Sequence, residues 1–299
     1  MKLGYIGLGE LGGHLAMSLL RGGNELVVYD TELKRSERHV AAGATRAKSV
    51  ADVAAQVDHI FTCLPSPAVS EKVLDEVLSQ ASIGLTWIEN STLGRDDIQR
   101  LAAKAQAAGL QVLEAPVTGG VHLAARGEIT VLVGGDEALF KQHEGLLKQI
   151  GNRSFFMGPI GSAAVIKVIT NMLAFIHLVA DAEALMLAKR GGLDLGQAWR
   201  AISASSGTSF VHETEGQLIL NGSYDIAFTM DLALKDLGFA MKFGEDFGVP
   251  LDLARRTFET FQQGKVAYGG SAQSTQIAKL LEDALKTDLR AEGFPARLV

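Results

Sequence analysis

A glycine-rich turn close to the amino terminus constrains the fold of this chain more than any other feature of its sequence. The turn Gly7-Leu8-Gly9-Glu10-Leu11-Gly12 follows a run of β-forming residues, Lys2–Ile6, and opens a helical pattern over Leu11–Leu20. A second strand pattern, Glu25–Tyr29, comes after that helix. Strand, glycine turn, helix and strand in this order are typical of the first unit of a doubly wound α/β sheet.

The alternation of strands and helices continues through the first half of the chain and then stops. Further strand patterns lie at His59–Leu64, Leu85–Glu89, Gln111–Ala115, Ile129–Val133 and Ser154–Met157, with helical patterns near Ser70–Leu78, Arg95–Ala108 and Glu137–Gln149. After Gly161 the patterns are helical only: Ser162–Arg190, Leu195–Ser203, Thr229–Phe247, Leu251–Gly264 and Ser274–Lys286. We predict an α/β protein with a Rossmann-type doubly wound parallel sheet in residues 1–161 and an all-helical domain in residues 162–299.

Composition excludes several classes of function. The formal net charge is −6 and no long basic run is present, which argues against a nucleic-acid partner. A single cysteine rules out a disulfide framework within the chain. We expect no signal peptide, because Glu10 and His14 interrupt the first twenty residues, and no membrane span, because even residues 163–180 contain Lys167. Without either segment we expect a cytoplasmic protein. His14, His177 and His212 show no metal-ligand spacing, so we expect no metal.

The glycines of the turn have separate tasks in a dinucleotide site. Gly7 permits the tight turn, Gly9 lets the backbone approach a pyrophosphate, and Gly12 lets the helix pack closely on the strand. The phosphates would lie at the helix amino terminus, where N–H groups and the helix dipole favour anions. The alternative is an ordinary turn between a strand and a helix.

Asp30 closes the second strand pattern, about 20 residues past the glycines, where an acidic residue takes the adenosine ribose hydroxyls. Its charge would repel a 2′-phosphate, so we expect NAD as the cofactor. Lys34 and Arg35 follow closely enough to keep NADP open.

Three further segments carry a resemblance to a known family. They are Glu114-Ala115-Pro116-Val117-Thr118-Gly119-Gly120, then Gly158-Pro159-Ile160-Gly161 followed by Lys167 and Asn171, and finally Phe228 with Lys235-Asp236-Leu237. Together with the glycine turn they resemble, in order and over essentially the whole chain, the β-hydroxyacid dehydrogenases. That family includes 3-hydroxyisobutyrate dehydrogenase, tartronate semialdehyde reductase and, more distantly, 6-phosphogluconate dehydrogenase.

The resemblance implies catalytic roles for Lys167 and Asn171. The two residues are four apart and project from one face of a helix. On sequence alone Lys167 is either a snorkelling side chain or a partly desolvated amine with a pKa lowered toward neutrality. The resemblance favours the second, a general acid and base for a substrate hydroxyl, with Asn171 holding the substrate.

The same resemblance assigns the binding residues. Thr118, Gly119 and Gly120 would bind the substrate carboxylate, since glycines let backbone N–H groups approach an anion. Thr92 and Lys235 would contact the cofactor near its nicotinamide end, and Leu64 and Pro65 would line its cleft. His122, just past the substrate loop, is a weaker acid–base candidate that we interpret as a solvated loop histidine.

The sequence therefore predicts an oxidoreductase that moves a hydride between a nicotinamide cofactor and a small β-hydroxyacid or its semialdehyde, with the active site between the two domains. Two alternatives are kept. One is an imine reductase-like enzyme, against which Lys167 argues, and the other is a dinucleotide-binding scaffold without catalysis. The first long helix is too apolar for solvent all round, so we expect a homodimer or homotetramer.

Overall fold

The computed structural model describes residues 1–298, and the chain divides into two compact units, Met1–Lys167 and Val168–Val299. The division falls inside a long helix that begins at Ser162, whereas the sequence analysis put the domain boundary before it. The reason is local packing, because Ala164 in the first turn of that helix belongs to a hydrophobic core of the first unit.

The first unit is built on one twisted sheet. Its strands are β1 (Lys2–Ile6), β2 (Glu25–Tyr29), β3 (Thr45–Arg46), β4 (His59–Thr62), β5 (Thr86–Glu89), β6 (Gln111–Glu114), β7 (Val117–Thr118), β8 (Thr130–Gly135) and β9 (Arg153–Gly158). The order is β3-β2-β1-β4-β5-β6-β8-β7, with β9 beside β8. The pairs from β3 through β6 are parallel, β8 runs antiparallel to β6 and β7, and β9 runs parallel to β8. The carboxyl ends of β1, β2, β4, β5 and β6 therefore meet at one edge of the sheet.

Helices cover both faces of this sheet. They are α1 (Glu10–Arg21), α2 (Leu33–Ala41), α3 (Val50–Ala54), α4 (Pro67–Leu78), α5 (Arg95–Ala107), α6 (Gly120–Arg126) and α7 (Glu137–Ile150). One core joins α1 and α7 to the sheet, and a second core on the other face joins α3, α4 and α5 to it. This arrangement confirms the doubly wound fold, while α2, α3 and α6 were absent from the sequence prediction.

The second unit is helical. It contains most of α8 (Ser162–Arg190), then α9 (Leu195–Ser203), α10 (Phe210–Asn221), α11 (Met230–Asp246), α12 (Asp252–Tyr268), a 3₁₀ helix (Ser274–Ala278) and α13 (Lys279–Leu285). Its core is continuous, and the ring centroids of Phe175 on α8 and Phe261 on α12 lie 5.3 Å apart in an edge-to-face contact. Helix α10 was not predicted.

Helix α8 is long and apolar enough to cross a bilayer by length and composition, with a mean hydropathy of 1.9 over an 18-residue window. The prediction from the sequence that no segment is long and apolar enough to span a bilayer is therefore wrong. A single such helix is weak evidence for a span, because core helices of soluble proteins pass the same test. Helix α8 also buries two ionisable side chains, Lys167 and Asp181, which are rare in lipid-facing helices.

Candidate active site

The glycine turn between β1 and α1 has the geometry of an anion cradle. Gly7 has a φ of +93°, and a Cβ on Gly12 would lie 2.2 Å from the Gly7 carbonyl oxygen, so neither position accepts a side chain. Gly9 is the N-cap residue of α1, and it has no side chain that could accept hydrogen bonds from the first N–H groups of the helix. Leu8 is buried in the core, Leu11 packs against it, and Glu10 is exposed. The turn fits a pyrophosphate.

Asp30 lies directly beside this turn. Its Oδ2 accepts a hydrogen bond from the Leu8 N–H at 2.7 Å, and its Oδ1 accepts one from the Glu32 N–H at 2.8 Å. The Arg35 guanidinium is also close, since its Nη1 would be 3.1 Å from a Cβ on Gly9, and it pairs with Glu32 at 2.9 Å. An acid and a base thus flank the turn where the adenosine ribose of a dinucleotide would lie.

The ends of β4 and β5 are tied together by a buried carboxyl group. Glu89 accepts hydrogen bonds from the N–H and the hydroxyl of Ser91, and Ser91 Oγ in turn accepts the Leu64 N–H at 2.7 Å. Burial raises the pKa of Glu89 to about 7, against the opposing effect of its hydrogen bonds. This network brings Leu64, Pro65 and Thr92 to the same sheet edge as the glycine turn, with Pro65 exposed and the other two partly buried.

The predicted substrate loop begins in the short edge strand β7 and ends where α6 begins. Gly119 and Gly120 have φ values of +127° and +85°, a region of backbone conformation that favours glycine. The His122 ring lies 3.2 Å from where a Cβ on Gly120 would be. His122 is half-buried in α6 rather than solvated in a loop, and burial followed by the charge of Arg126 lowers its pKa. A histidine with a lowered pKa is mostly neutral at pH 7.

Lys167 is buried in α8 at 7% exposure. The helix that carries it begins on a carboxylate, since Glu114 at the end of β6 accepts hydrogen bonds from the N–H groups of Gly161, Ala163 and Ala164. Lysine is rarely this buried unless its ammonium group is paired or its amine is neutral.

Asn171, one turn further along α8, is fixed by an aspartate of α11. Its Nδ2 donates a hydrogen bond of 2.6 Å to Asp236 Oδ2, and the Lys235 Nζ lies 2.8 Å from Asp236 Oδ1. Asp236 is 1% exposed and the Lys235 side chain 20%, so this pair does not lie on a solvated face of the helix. The structure thus brings two of the predicted residues, Asn171 and Lys235, onto one buried acid.

Sequence reasoning missed three acidic residues in this set, although all three stand within the quoted motifs or strands. Glu89 and Glu114 are the last residues of β5 and β6, and Asp236 follows Lys235. A carboxyl group at the end of an apolar strand is a recognisable signal, because the carboxyl ends of parallel strands form the ligand-binding edge of such sheets.

Comparison with known proteins assigns the chain to a family. The NAD binding domain of 6-phosphogluconate dehydrogenase matches residues 2–158, more than half of the chain. The family described as NAD-binding of NADP-dependent 3-hydroxyisobutyrate dehydrogenase matches residues 161–281. The chain belongs to the β-hydroxyacid dehydrogenase family. This β-hydroxyacid dehydrogenase is therefore an NAD(P)-dependent oxidoreductase, and its glycine turn fits that cofactor.

Individual relatives match over nearly the whole chain. The 2-(hydroxymethyl)glutarate dehydrogenase of Eubacterium barkeri is 31% identical in sequence, and the match covers 94% of this chain and 95% of the relative's length. The mitochondrial 3-hydroxyisobutyrate dehydrogenase of Rattus norvegicus is 32% identical in sequence, and the match covers 83% of this chain and 77% of the relative's length. A crystal structure of 3-hydroxyisobutyrate dehydrogenase from Salmonella typhimurium superimposes with a TM-score of 0.88 at 29% identity, covering 94% of this chain and 99% of that one. The roles of the single site residues stay predictions.

Proposed function

We propose that this dehydrogenase interconverts a small β-hydroxyacid and its semialdehyde, with Lys167 as the general acid and base. The observation that carries the proposal is the buried Lys167, which lies in an apolar helix one turn before an asparagine held by Asp236. A buried amine next to an oriented carboxamide is suited to proton transfer at a substrate hydroxyl.

The chain's own part in the reaction is proton transfer and orientation. In the oxidation direction neutral Lys167 takes the proton of the substrate hydroxyl, and in the reduction direction protonated Lys167 returns it to the forming alkoxide. Asn171 holds the substrate hydroxyl or carboxylate by hydrogen bonding. The bound nicotinamide ring supplies hydride transfer.

The Thr118–Gly120 loop is the proposed carboxylate site. Gly119 is partly buried and Gly120 exposed, and without a Cβ they let an anion approach the backbone N–H groups, while Thr118 adds a hydroxyl. Thr92 and Lys235 are the proposed contacts near the nicotinamide, and Leu64 and Pro65 the lining of its cleft.

The names of two relatives support the substrate class. Both 2-(hydroxymethyl)glutarate and 3-hydroxyisobutyrate carry a hydroxymethyl group on the carbon next to a carboxylate. We propose the same unit for this enzyme, with tartronate semialdehyde as a substrate of the reverse direction, NAD favoured over NADP, and a homodimer or homotetramer as the active assembly.

The deciding experiment compares Lys167→Ala with wild type. The absorbance of the reduced nicotinamide is followed with a panel of short β-hydroxyacids and semialdehydes, using NAD and NADP in turn. We expect Lys167→Ala to lower kcat by about 10²- to 10⁴-fold, because a proton-transfer residue is lost. Cofactor affinity, measured by calorimetry, should change little. Lys141→Ala, at an exposed position of α7, serves as the control.

Each alternative has its own signature in this experiment. Wild-type activity in Lys167→Ala refutes the acid–base assignment. Cofactor binding by the wild type without turnover of any panel member supports the scaffold, and turnover of cyclic imines alone supports an imine reductase.

A further inference from the structure

Glu114 joins the sheet to the first turn of α8 through three hydrogen bonds. Its Oε1 accepts the N–H groups of Gly161 at 2.6 Å and Ala163 at 2.9 Å, and its Oε2 accepts the N–H of Ala164 at 3.1 Å. The side chain is 1% exposed. The first N–H groups of a helix have no partner within the helix, so a carboxylate from another element satisfies them and also opposes the helix dipole.

A glycine on the neighbouring strand leaves room for this carboxyl group. Glu114 pairs with Gly134 across the antiparallel strands β6 and β8. A Cβ on Gly134 would lie 2.1 Å from Glu114 Oε1, so only glycine lets the carboxyl group reach α8 in this position. The glycine at position 134 therefore has a structural reason, which is the space that the Glu114 carboxyl group occupies.

Two parts of the proposed site depend on this one residue. Lys167 follows Ala163 by four residues, which is one helical turn. On the other side, Glu114 ends the strand from which the chain runs into the Thr118–Gly120 loop. Because its carboxylate occupies the first N–H groups of α8, these groups are not offered to a substrate anion.

We propose that Glu114 is a positioning residue of the reaction, whose carboxylate anchors the first turn of α8 and so sets where Lys167 stands relative to the Thr118–Gly120 loop. This proposal rests on the proposed role of Lys167. Catalysis tolerates little misplacement of a reacting group, and an error of about 1 Å can lower a rate by about 10²-fold.

The ionisation of Glu114 provides a specific readout. Burial raises the pKa of its carboxyl group to about 7, and the N–H groups of Ala163, Gly161 and Ala164 act in the opposite direction. The carboxyl group therefore takes up a proton as the pH falls through about 7, and a protonated carboxyl group accepts these N–H groups less well.

The test is the isosteric Glu114→Gln variant of the full-length enzyme, assayed from pH 5.5 to pH 8.5. We expect kcat at pH 8.5 to fall at least about tenfold, with the KM for the cofactor changed less than about twofold. The ratio of wild-type to variant kcat should shrink toward about one below pH 7, since wild type then also carries a neutral side chain. A wild-type to variant kcat ratio of one at pH 8.5 overturns the proposal. So does a variant kcat that is reduced by the same factor at every pH.

Glu282→Gln is the matched control. Glu282 is another buried carboxyl group that accepts a backbone hydrogen bond, from Leu289 at 2.7 Å, and it pairs with Arg290 at 3.0 Å. This variant should lose stability but keep the wild-type kcat at every pH. A pH-dependent loss of kcat in Glu282→Gln as well would overturn the specific role of Glu114.

A second variant covers the case in which Glu114→Gln does not fold. Gly134→Ala displaces the carboxyl group without altering it, and should reproduce the loss of kcat together with faster amide hydrogen exchange over residues 161–167. Exchange needs no turnover, so it separates this proposal from the proposed function. Full activity in Lys167→Ala removes the premise, whereas an inactive Lys167→Ala beside a fully active Gly134→Ala overturns the positioning role alone.

Discussion

The Asp30 carboxylate accepts hydrogen bonds from the protein backbone through both of its oxygens, from the N–H groups of Leu8 and Glu32. An ionised carboxylate offers about four acceptor sites, so two remain for ribose hydroxyls. Arg35 is already paired with Glu32, which weakens its attraction for a 2′-phosphate. At the scale of single residues these contacts support the proposed preference for NAD over NADP.

Asp30→Ala should reduce the preference for NAD over NADP, measured as the ratio of the two kcat/KM values, by about tenfold or more. A hydrogen bond to a charged group contributes about 1.5–3 kcal/mol, and the repulsion of a 2′-phosphate disappears with the charge. Asp30→Asn, which keeps one acceptor oxygen, should lose the repulsion and retain part of the NAD affinity. An unchanged ratio in both variants would contradict the ribose role.

Helix α1 shows how closely one element is fitted to its neighbours. The position of Gly12 has no room for a methyl group, because a Cβ there would lie 2.2 Å from the Gly7 carbonyl oxygen and 2.9 Å from the Cys63 Cβ. Any larger residue must push the amino terminus of α1 away from β1, and with it the N–H groups proposed to bind the pyrophosphate.

Gly12→Ala should therefore lower the free energy of unfolding by about 1–3 kcal/mol and weaken cofactor binding at least about tenfold. Urea unfolding and calorimetric titration measure the two effects. Gly145→Ala in α7 is the matched control, since its Cβ would meet no atom within 4 Å. That variant should be neutral or stabilising by up to about 1 kcal/mol. If Gly12→Ala and Gly145→Ala had the same free energy of unfolding and the same cofactor affinity, the steric argument would be refuted.

Elements with strong periodicity could be predicted from the sequence, and those shaped by tertiary contacts could not. The bounds of β1, β2, α8 and α9 agree with the sequence patterns to the residue. Helix α2 was missed because its sequence, LKRSERHVA, carries few apolar residues. The reversal of β8 was missed because the side-chain pattern of a strand does not encode its direction. Glu114 and Asp236 stood in the quoted motifs, but their burial depends on partners far along the chain.

At the scale of the whole molecule, the surface of α8 is unusually apolar. Leu173 is 44% exposed and Leu187 76% exposed in the single chain, and only 33% of the most apolar window of the helix is buried. Apolar side chains of this size on a helix that also carries Lys167 are typical of a surface covered by another subunit. This supports the proposed homo-oligomer.

Light scattering after size exclusion should therefore give the mass of two or four chains. Leu187→Glu should lower that mass, because it puts a charge into the proposed interface. Val266→Glu is the control, at an apolar residue on α12 that is 89% exposed, and it should leave the mass unchanged. A wild-type protein with the mass of one chain would rule out the assembly.

The facing pair of Glu114 and Gly134 has a consequence for how this protein can vary. The two residues share a volume that holds one carboxyl group and nothing more, so the identity of each limits the other. A methyl group at position 134 displaces the carboxyl group of Glu114 from this place, because a Cβ there would lie 2.1 Å from Glu114 Oε1. Divergence at these two sites is therefore expected to be coupled, and a designer who alters one of them has to redesign both.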